Sequence, residues 1–457
     1  MKLRGLWCVA VVAACTGGSG PPSTEEPSDP QIIELTCDGA NDGPAIQAAV
    51  RQLSAAGGGV LALAPGTCIL NGTIKSARVP ITFRGAGRDS TILQWTTDVH
   101  GLTVTGDGSV IRDLTIRGVS GDLPGSGFGI NSGNALNLTV RDCTIEAWPG
   151  GGLNTGGGGS AWLIADNIVR HNYADGIYIA DGTSHSTVSG NLVEGNGANG
   201  IDINGSANLI VDNTVTANGL RHPIHTADTW GILIQAIGAQ GVHADSNVVR
   251  GNAVYGQAHG PGIAIRGDGS FHANFNVVDS NQTYENETGI QVDGSATGPI
   301  EGTLVIGNTA TNNARAGIAV ATGNSTPIGT RIANNVATGN ETGIYLDHPV
   351  ETTMIDNTLA GNEIPVTDLG SVGTVRSGNL LTSGPNALLS GRAVLSRGMA
   401  VVGTTEVQPD DNILLNAPSD SVPAGLVRVG SIEPGTNFTI QSTSGADTLT
   451  ILWQIVH

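Results

Sequence analysis

The sequence predicts an all-β chain wound as a stack of parallel coils, and three observations carry that expectation. Glycine makes up 68 of 457 residues, while charged residues account for only 13% and aromatics for 4%. Apolar residues alternate in short period-two runs, the pattern of strands with one buried face. An asparagine pair spaced by five recurs as Asn167/Asn172, Asn191/Asn196, Asn213/Asn218, Asn247/Asn252, Asn276/Asn281, Asn308/Asn313, Asn335/Asn340 and Asn357/Asn362. Self-similarity at such a period marks a repeat architecture. Glycine without a triplet period excludes collagen, and the absence of Lys, Glu and Leu heptads excludes a coiled coil.

The chain opens on Lys2 and Arg4, then an apolar run from Leu6 to Ala14, then Cys15. That run is too short to span a bilayer and reads as a signal segment. Val12-Ala13-Ala14-Cys15 resembles a bacterial lipobox, which implies lipidation at Cys15, so residues 1–15 form the expected signal peptide and lipobox. Residues 16–35 begin with a Gly, Pro, Ser and acid-rich tether. The expected location is the bacterial cell envelope, lipid-anchored at the outer membrane or cell surface, or secreted. Formal net charge is −19 with two lysines, Lys2 and Lys75, so no basic face for nucleic acid can be assembled. Cys37 and Cys68 read either as a disulfide of an oxidising compartment or as a buried pair of thiols. Cys143 stands where an asparagine would begin the preceding repeat, which makes it an inward stacking residue.

Most pairs are followed by Gly-Ile, as at Gly176-Ile177, Gly200-Ile201 and Gly262-Ile263. Each strand then stacks on its equivalent one coil earlier, and asparagines at the turns hydrogen-bond along the axis. Upstream, Pro44 opens a helix with Ile46, Ala49, Val50 and Leu53 on one face, ended by Gly57 to Gly59. Such a helix plugs the open end of the coil, whose terminal rung is otherwise an aggregation edge.

This pattern resembles the right-handed parallel β-helix family over residues 36–385. Asp38-Gly39, Ala45 to Ala49, Gly57-Gly58-Gly59-Val60 and Pro65-Gly66-Thr67 look like the N-terminal segment of the pectate lyase superfamily. The resemblance implies an all-β, right-handed parallel β-helix solenoid with an N-terminal capping helix, and about ten turns are expected. From about 390 to 457 the repeat gives way to a small C-terminal β-domain. Its expected strands are Ala393–Leu395, Asn412–Leu415, Gly425–Val429, Asn437–Gln441 and Thr448–Val456. The run from Gly435 to Ser442, with Asp447-Thr448 and Trp453 to Val456, looks like the β-domains that end phage tail proteins, which implies binding or assembly, a trimer being the candidate oligomer.

Turns are where one coil can differ from the next. The second asparagine of a pair usually precedes the next Gly-Ile by three or four residues. The gap grows to thirteen between Asn218 and Gly231, ten between Asn252 and Gly262, and eight between Asn281 and Gly289. Equivalent turns stack, so 219–230, 253–261 and 282–288 are expected to form one wall beside a sugar-binding groove. Its residues include Arg221, His222, His225, Asp228, Trp230, Tyr255, His259, Tyr284, Glu285 and Glu287. With Ile201 and Ile203 inward, Asp202 and Asn204 face out, as do Gln235, Arg266, Gln291 and Asp293.

Two chemistries follow from this set. The run Asn199-Gly200-Ile201-Asp202 with Asp228-Thr229-Trp230-Gly231 resembles the polygalacturonase-type hydrolases, which implies cleavage between two carboxylates, Asp228 as acid and Asp202 as base. Asn199 replaces that family's Asp, Ala227-Asp228 its Asp pair, and His259 is displaced from its Gly-His-Gly turn. Gly200-Ile201-Asp202 is also similar to the alginate epimerases, whose Pro-His is Ile203-Asn204 here. Uronate lyase or epimerase chemistry would use Arg266 or Arg221 to neutralise a carboxylate, with Tyr255 and His259 or His222 exchanging protons. The catalytic candidates are therefore Asp202, Asp228, Tyr255, His259 and Arg266. Arg221, His222, His225, Trp230, Gln235 and Tyr284 are the substrate-binding candidates, Trp230 as a sugar platform. Calcium, through Asp202, Asp293 or Asp228, is the candidate cofactor, although no ligand loop of fixed spacing exists. Asp347-His348 reads as a strand end. The expected function is action on a uronate-containing polysaccharide; the alternative is a non-catalytic glycan-binding or adhesin-like scaffold, since one fold serves both.

Overall fold

The computed structural model describes residues 30–456 except 220–228, 238–240, 258, 295–297, 323, 381–389, 404–406, 410, 418–422 and 435. Arg221, His222, His225, Asp228 and Cys15 lie outside the described residues. The chain repeats three strands per coil, and these stack into three parallel sheets. Sheet A has 14 strands, from Ile32–Leu35 to Val375–Ser377; sheet B has 11, from Gly66–Leu70 to Val336–Thr338; sheet C has 12, from Ile74–Lys75 to Ile364–Asp368. The solenoid therefore makes about eleven turns.

Each corner follows one local rule. Asp142, Asp166, Gly190, Asp212, Gly251, Ser280, Gly307, Asn334 and Asp356 take φ between 52° and 66° at the corner from sheet A to sheet B. These types are mostly ones that enter the left-handed region at low cost, Gly for want of a Cβ and Asp or Asn by local hydrogen bonding. The next residue then points inward and stacks. Asn167, Asn191, Asn213, Asn252, Asn281, Asn308, Asn335 and Asn357 form one ladder, each Nδ2 donating to the next Oδ1 at 2.8–3.0 Å. Cys143 occupies the preceding rung, its backbone N–H donating to Asn167 Oδ1 at 3.0 Å. Burial pushes its thiol up to about 12, so it is an inert packing residue. Between corners the interior is Ile, Val and Leu, all buried in one continuous core.

The ladders correct the repeat phase. Asn252 pairs along the axis with Asn213, and Asn281 with Asn308. The second ladder, at the corner from sheet B to sheet C, runs Asn172, Asn196, Asn218, then Gln257 in register, then Asn286, Asn313, Asn340 and Asn362. Asn247 and Asn276 belong to a third ladder, with Asn208, at the corner from sheet C to sheet A. The pairs Asn247/Asn252 and Asn276/Asn281 thus flank strands of sheet A, whereas Asn167/Asn172 flanks a strand of sheet B. Strand-plus-corner length is the same on both sheets, so a spacing of five does not reveal which corner an asparagine serves. Counted from Gln257 and Asn286, the turns before Gly262 and Gly289 are short. Of the three insertions only 219–230 is long at that corner, where 118–129 is also long in an earlier coil, and the three-insertion wall does not exist. The other long turns, 236–247 and 267–276, lie across sheet C at the corner to sheet A.

The helix Gly43–Ala55 buries Ile46, Ala49, Val50 and Leu53 over the first coil, with Pro in its first turn. Gln47 exchanges two hydrogen bonds with the Lys75 backbone, 2.9 and 2.8 Å, which covers the first strand edge of sheet C. Gly59, at φ 146°, would place a Cβ 2.4 Å from Gln31 O, so only glycine lets the helix return onto the coil. Cys37 and Cys68 are joined as a disulfide with Cα atoms 4.9 Å apart.

The C-terminal part forms two three-stranded antiparallel sheets, Ser390–Val394/Thr450–Val456/Asn412–Asn416 and Met399–Gly403/Asn437–Ser442/Val427–Glu433. Phe438 and Trp453 meet edge-to-face between them, centroids 5.1 Å apart. Met399–Gly403 adds a strand that the sequence reading does not contain. Its entry is a tight turn with φ > 0 at Arg397 and Gly398, and an arginine in the left-handed position masks the usual turn signature.

Candidate functional site

The outer face of sheet C carries the chemistry. Strands Ile177–Ile179, Ile201–Ile203, Ile232–Gln235, Ile263–Arg266 and Ile290–Gly294 pair in register. Their isoleucines face the core, leaving an outward row Tyr178, Asp202, Leu233, Ala264, Gln291. A second outward row holds Gln235, Arg266 and Asp293.

Asp202 is 5% exposed. Asn199 Nδ2 donates to its Oδ2 at 3.4 Å. In the amide orientation that satisfies its surroundings, Asn204 donates to Asp202 Oδ1 at 3.0 Å and accepts from the Tyr178 hydroxyl at 2.9 Å. Burial, reinforced by the charges of Asp175 and Asp181, pushes the Asp202 carboxyl well above the ordinary carboxylate range. Burial, with the Asp202 charge, likewise raises Tyr178, which stays protonated. A carboxyl raised in this way holds its proton to higher pH than an exposed one. The sequence expectation made Asp202 a base; a raised carboxyl is the kind that can also give up a proton.

Arg266 lies two rungs further on, about 9–10 Å along the axis at the usual strand spacing. Its guanidinium stands 5.6 Å over the Trp230 ring, and its Nε is 3.9 Å from Asp293 Oδ2. Trp230 is 7% exposed and packs on Leu233 and Ala264. It therefore holds Arg266 in place rather than offering an open ring to a sugar. Gln235 sits beside Arg266 in the same row.

The remaining candidates separate. Tyr255 and Tyr284 stack at 4.6 Å, nearly parallel, on the outer face of sheet B, around the corner from Asp202. His259 is exposed in the turn before Ile263–Arg266. The residue after it, Gly260, packs so closely on Thr229 O that a Cβ would lie 2.2 Å away. Asp228 lies outside the described residues, so its convergence with His259 and Arg266 is not described. Asn199, where a hydrolase of the polygalacturonase type has Asp, is a brace: its N–H donates to Asp175 Oδ1 at 2.9 Å and its Oδ1 accepts from Trp230 N–H at 3.0 Å. Ile203 and Asn204, in place of the epimerase Pro-His, bring no imidazole. Among the described residues, Asp202 and Asp293 join no cluster of three ligating side chains, whereas His243, Asp245 and His272 do. Asp347 and His348 share a 2.6 Å hydrogen bond at the end of a strand five coils beyond Asp202.

Sequence reasoning missed Tyr178, Asp175 and Asp181. Gly176-Ile177-Tyr178 repeats Gly200-Ile201-Asp202, so the alternation that exposes Asp202 also places Tyr178 next to it.

The family model for the right handed beta helix region matches residues 83–234 and 158–336, together more than half of the chain. The chain belongs to the right-handed β-helix family. Residues 386–456 match the model for the C-terminal domain of K1 capsule-specific polysaccharide lyase. Among solved structures, this β-helix protein is similar to the A-module of the Azotobacter vinelandii mannuronan C-5 epimerase AlgE6, with TM-score 0.60 and 20% identity over 74% of this chain and 95% of that one. It is similar to the catalytic domain of a GH87 alpha-1,3-glucanase in complex with tetrasaccharides, with TM-score 0.59 and 17% identity over 79% and 71%. It is also similar to the Dettilon tailspike protein, with TM-score 0.50 and 14% identity over 93% and 94%. At these identities the likeness is one of fold. No curated protein matches the chain.

Proposed function

We propose that this β-helix protein acts on a polysaccharide laid along the outer face of sheet C, with Asp202 as proton donor and Arg266 as anchor. The observation that carries the reading is a buried carboxyl, pushed above the ordinary carboxylate range, two rungs from an arginine clamped between Trp230 and Asp293. Arg266 has a fixed charge and suits an acidic sugar, so a uronate-containing glycan is favoured. Proton abstraction beside a neutralised carboxylate, followed by proton delivery from Asp202, gives lyase or epimerase chemistry, with His259, exposed in the turn before Ile263–Arg266, as the candidate base. The mannuronan epimerase, the glucanase bound to tetrasaccharides and the K1 capsule lyase domain all carry names of polysaccharide-acting proteins, which supports the class of substrate.

Uronate polymers and neutral glycans, followed by ultraviolet absorbance for new double bonds and by reducing ends for hydrolysis, test the reading. Turnover of a uronate polymer is expected. Arg266→Ala should lower kcat/KM on it about 10–100-fold, the loss of one charge-assisted contact, and Arg266→Lys should recover little. Turnover of neutral glycans alone, insensitive to Arg266, would favour hydrolysis without an anionic subsite. The low exposure of Asp202 and the tailspike likeness favour a second reading, a glycan-binding scaffold in which the C-terminal domain assembles copies. Binding without turnover in the same screen selects it.

Anchoring of the chain at a bacterial envelope through lipid on Cys15 belongs to the same proposal, motivated by Val12-Ala13-Ala14-Cys15. Cys15→Ser should move the protein from the membrane fraction to the soluble one; unchanged partitioning would remove the anchor from the reading.

A further inference from the structure

Across sheet C from the long 219–230 turn, two consecutive corners to sheet A carry matching hairpin tabs. Ile237 and Val242 exchange backbone hydrogen bonds of 3.0 and 3.1 Å, and Asp268 and Phe271 exchange two of 3.0 Å one coil later. The strands leaving these tabs run side by side, with Ala244 N–H donating to His272 O at 3.0 Å and Ser246 N–H to Asn274 O at 2.9 Å. Ala244 and Ala273 are buried, so the alternating positions His243, Asp245 and His272 face outward.

These three side chains converge. The two imidazoles lie with centroids 3.8 Å apart and planes tilted by 32°, and His272 Nδ1 lies 2.8 Å from Asp245 Oδ1. One ligating atom from each residue falls within 4.8 Å of the others. Asp245 is itself fixed, since Asn274 N–H donates to its Oδ1 at 2.7 Å and its backbone N–H donates to Ser206 Oγ at 3.0 Å. His243 is fixed through its Nδ1, which accepts from His272 N–H at 3.1 Å. His272 and Asp245 keep a quarter to a third of their side-chain surface open, so an ion can enter.

We infer that His243, Asp245 and His272 bind a divalent transition-metal ion that ties the two tabs together. The donor set decides the class of ion. Two imidazoles and one carboxylate suit Zn²⁺ and its neighbours in the first transition row, whereas calcium and magnesium want oxygen donors throughout. On binding, the metal takes the place of the hydrogen bond between His272 Nδ1 and Asp245, and the neutral imidazole keeps its one N–H proton on Nε2. Three protein ligands leave a coordination position for water or for a sugar oxygen at the rim of the sheet C face. Ser206, which holds Asp245 and donates to His243 O at 3.1 Å, is two residues from Asn204, so the tab and the Asp202 network are linked through one short segment. The metal site itself does not depend on the sugar chemistry.

The full chain, stripped with chelator, is titrated with Zn²⁺ and separately with Co²⁺ as a spectroscopic probe. Uptake that includes one ion at these three residues is expected, with visible Co²⁺ bands of nitrogen and oxygen coordination. The double variant His243→Ala/His272→Ala should raise the Kd of that ion at least 100-fold, while the exposed-site control His348→Asn leaves it unchanged. A readout without substitution covers a double variant that fails to fold. One equivalent of Zn²⁺ should shield His243 and His272 from diethylpyrocarbonate, mapped by peptide mass spectrometry, and leave His348 reactive. No uptake by the unmodified chain, undiminished uptake by the folded double variant, or equal acylation with and without Zn²⁺ would each overturn the site.

Discussion

Replacing Asp202 with asparagine is expected to lower turnover of the glycan substrate by 10²-fold or more while leaving the coil folded. A general acid contributes that much to the chemical step, and asparagine keeps, through its one amide oxygen, one of the two hydrogen bonds that Asp202 accepts from Asn199 and Asn204 but has no carboxyl proton to give. The pH dependence distinguishes this from a merely structural role. The folded-state pKa of Asp202 is raised above the unfolded value of about 3.9. Its stabilising contribution is complete below that unfolded value and is lost as pH rises through the raised one. Asp202→Asn should therefore melt higher than the parent chain at neutral and alkaline pH, and the difference should vanish near pH 3. In the parent chain activity should fall on the alkaline side as Asp202 ionises. Asp347→Asn, on the outer face of the same sheet but in a distant coil, serves as the control for both measurements. Equal turnover in Asp202→Asn and Asp347→Asn would remove Asp202 from the chemistry. A Tm difference that does not change with pH would show that burial does not govern its ionisation.

The largest effect on stability is expected from Asn252→Ala. The Asn252 side chain accepts from Asn213 N–H and Nδ2 and donates to Ile210 O, Arg250 O and Asn281 Oδ1. Alanine orphans several buried polar groups at once, at about 1–3 kcal/mol for each that finds no new partner. A loss of about 4 kcal/mol or more follows, read as a shift in the urea midpoint. Asn379, half-buried at the last rung of the same ladder, is the comparison. Asn379→Ala should cost less, because its side chain is only half-buried and groups that lose it can turn to water. Equal losses at the two sites would mean that burial does not set the cost of a lost rung.

Much of the coil was legible in the chain because each rung is local. A left-handed corner residue, an inward asparagine and a short β run fit within a few residues, so periodicity reports them directly, down to Cys143 standing in for an asparagine. The outward rows were legible for the same reason: alternation from Ile201 and Ile203 puts Asp202 and Asn204 outside, and from Ile263 and Ile265 puts Arg266 outside. The corner identity was not legible. Asn252 and Asn196 look alike in sequence, yet one turns the chain from sheet A to sheet B and the other from sheet B to sheet C, and only the register between coils distinguishes them. That ambiguity moved the long turns to the wrong corner and grouped Tyr255 with Asp202.

By itself, then, the sequence determined the solenoid, the capping helix, the inert interior and the outward direction of Asp202 and Arg266, because these depend on local geometry repeated many times. Tertiary structure decided which outward residues meet. It set Tyr178 against Asn204 from adjacent coils, closed Trp230 under Arg266, separated the Tyr255–Tyr284 stack onto another face, and brought His243 and Asp245 to His272 across 29 residues. It also decided the direction in which the Asp202 carboxyl shifts, since burial raises it and neighbouring Asp175 and Asp181 add to the rise. Those quantities depend on coil length and stacking register, which accumulate over a whole turn and leave no mark on any short stretch of residues.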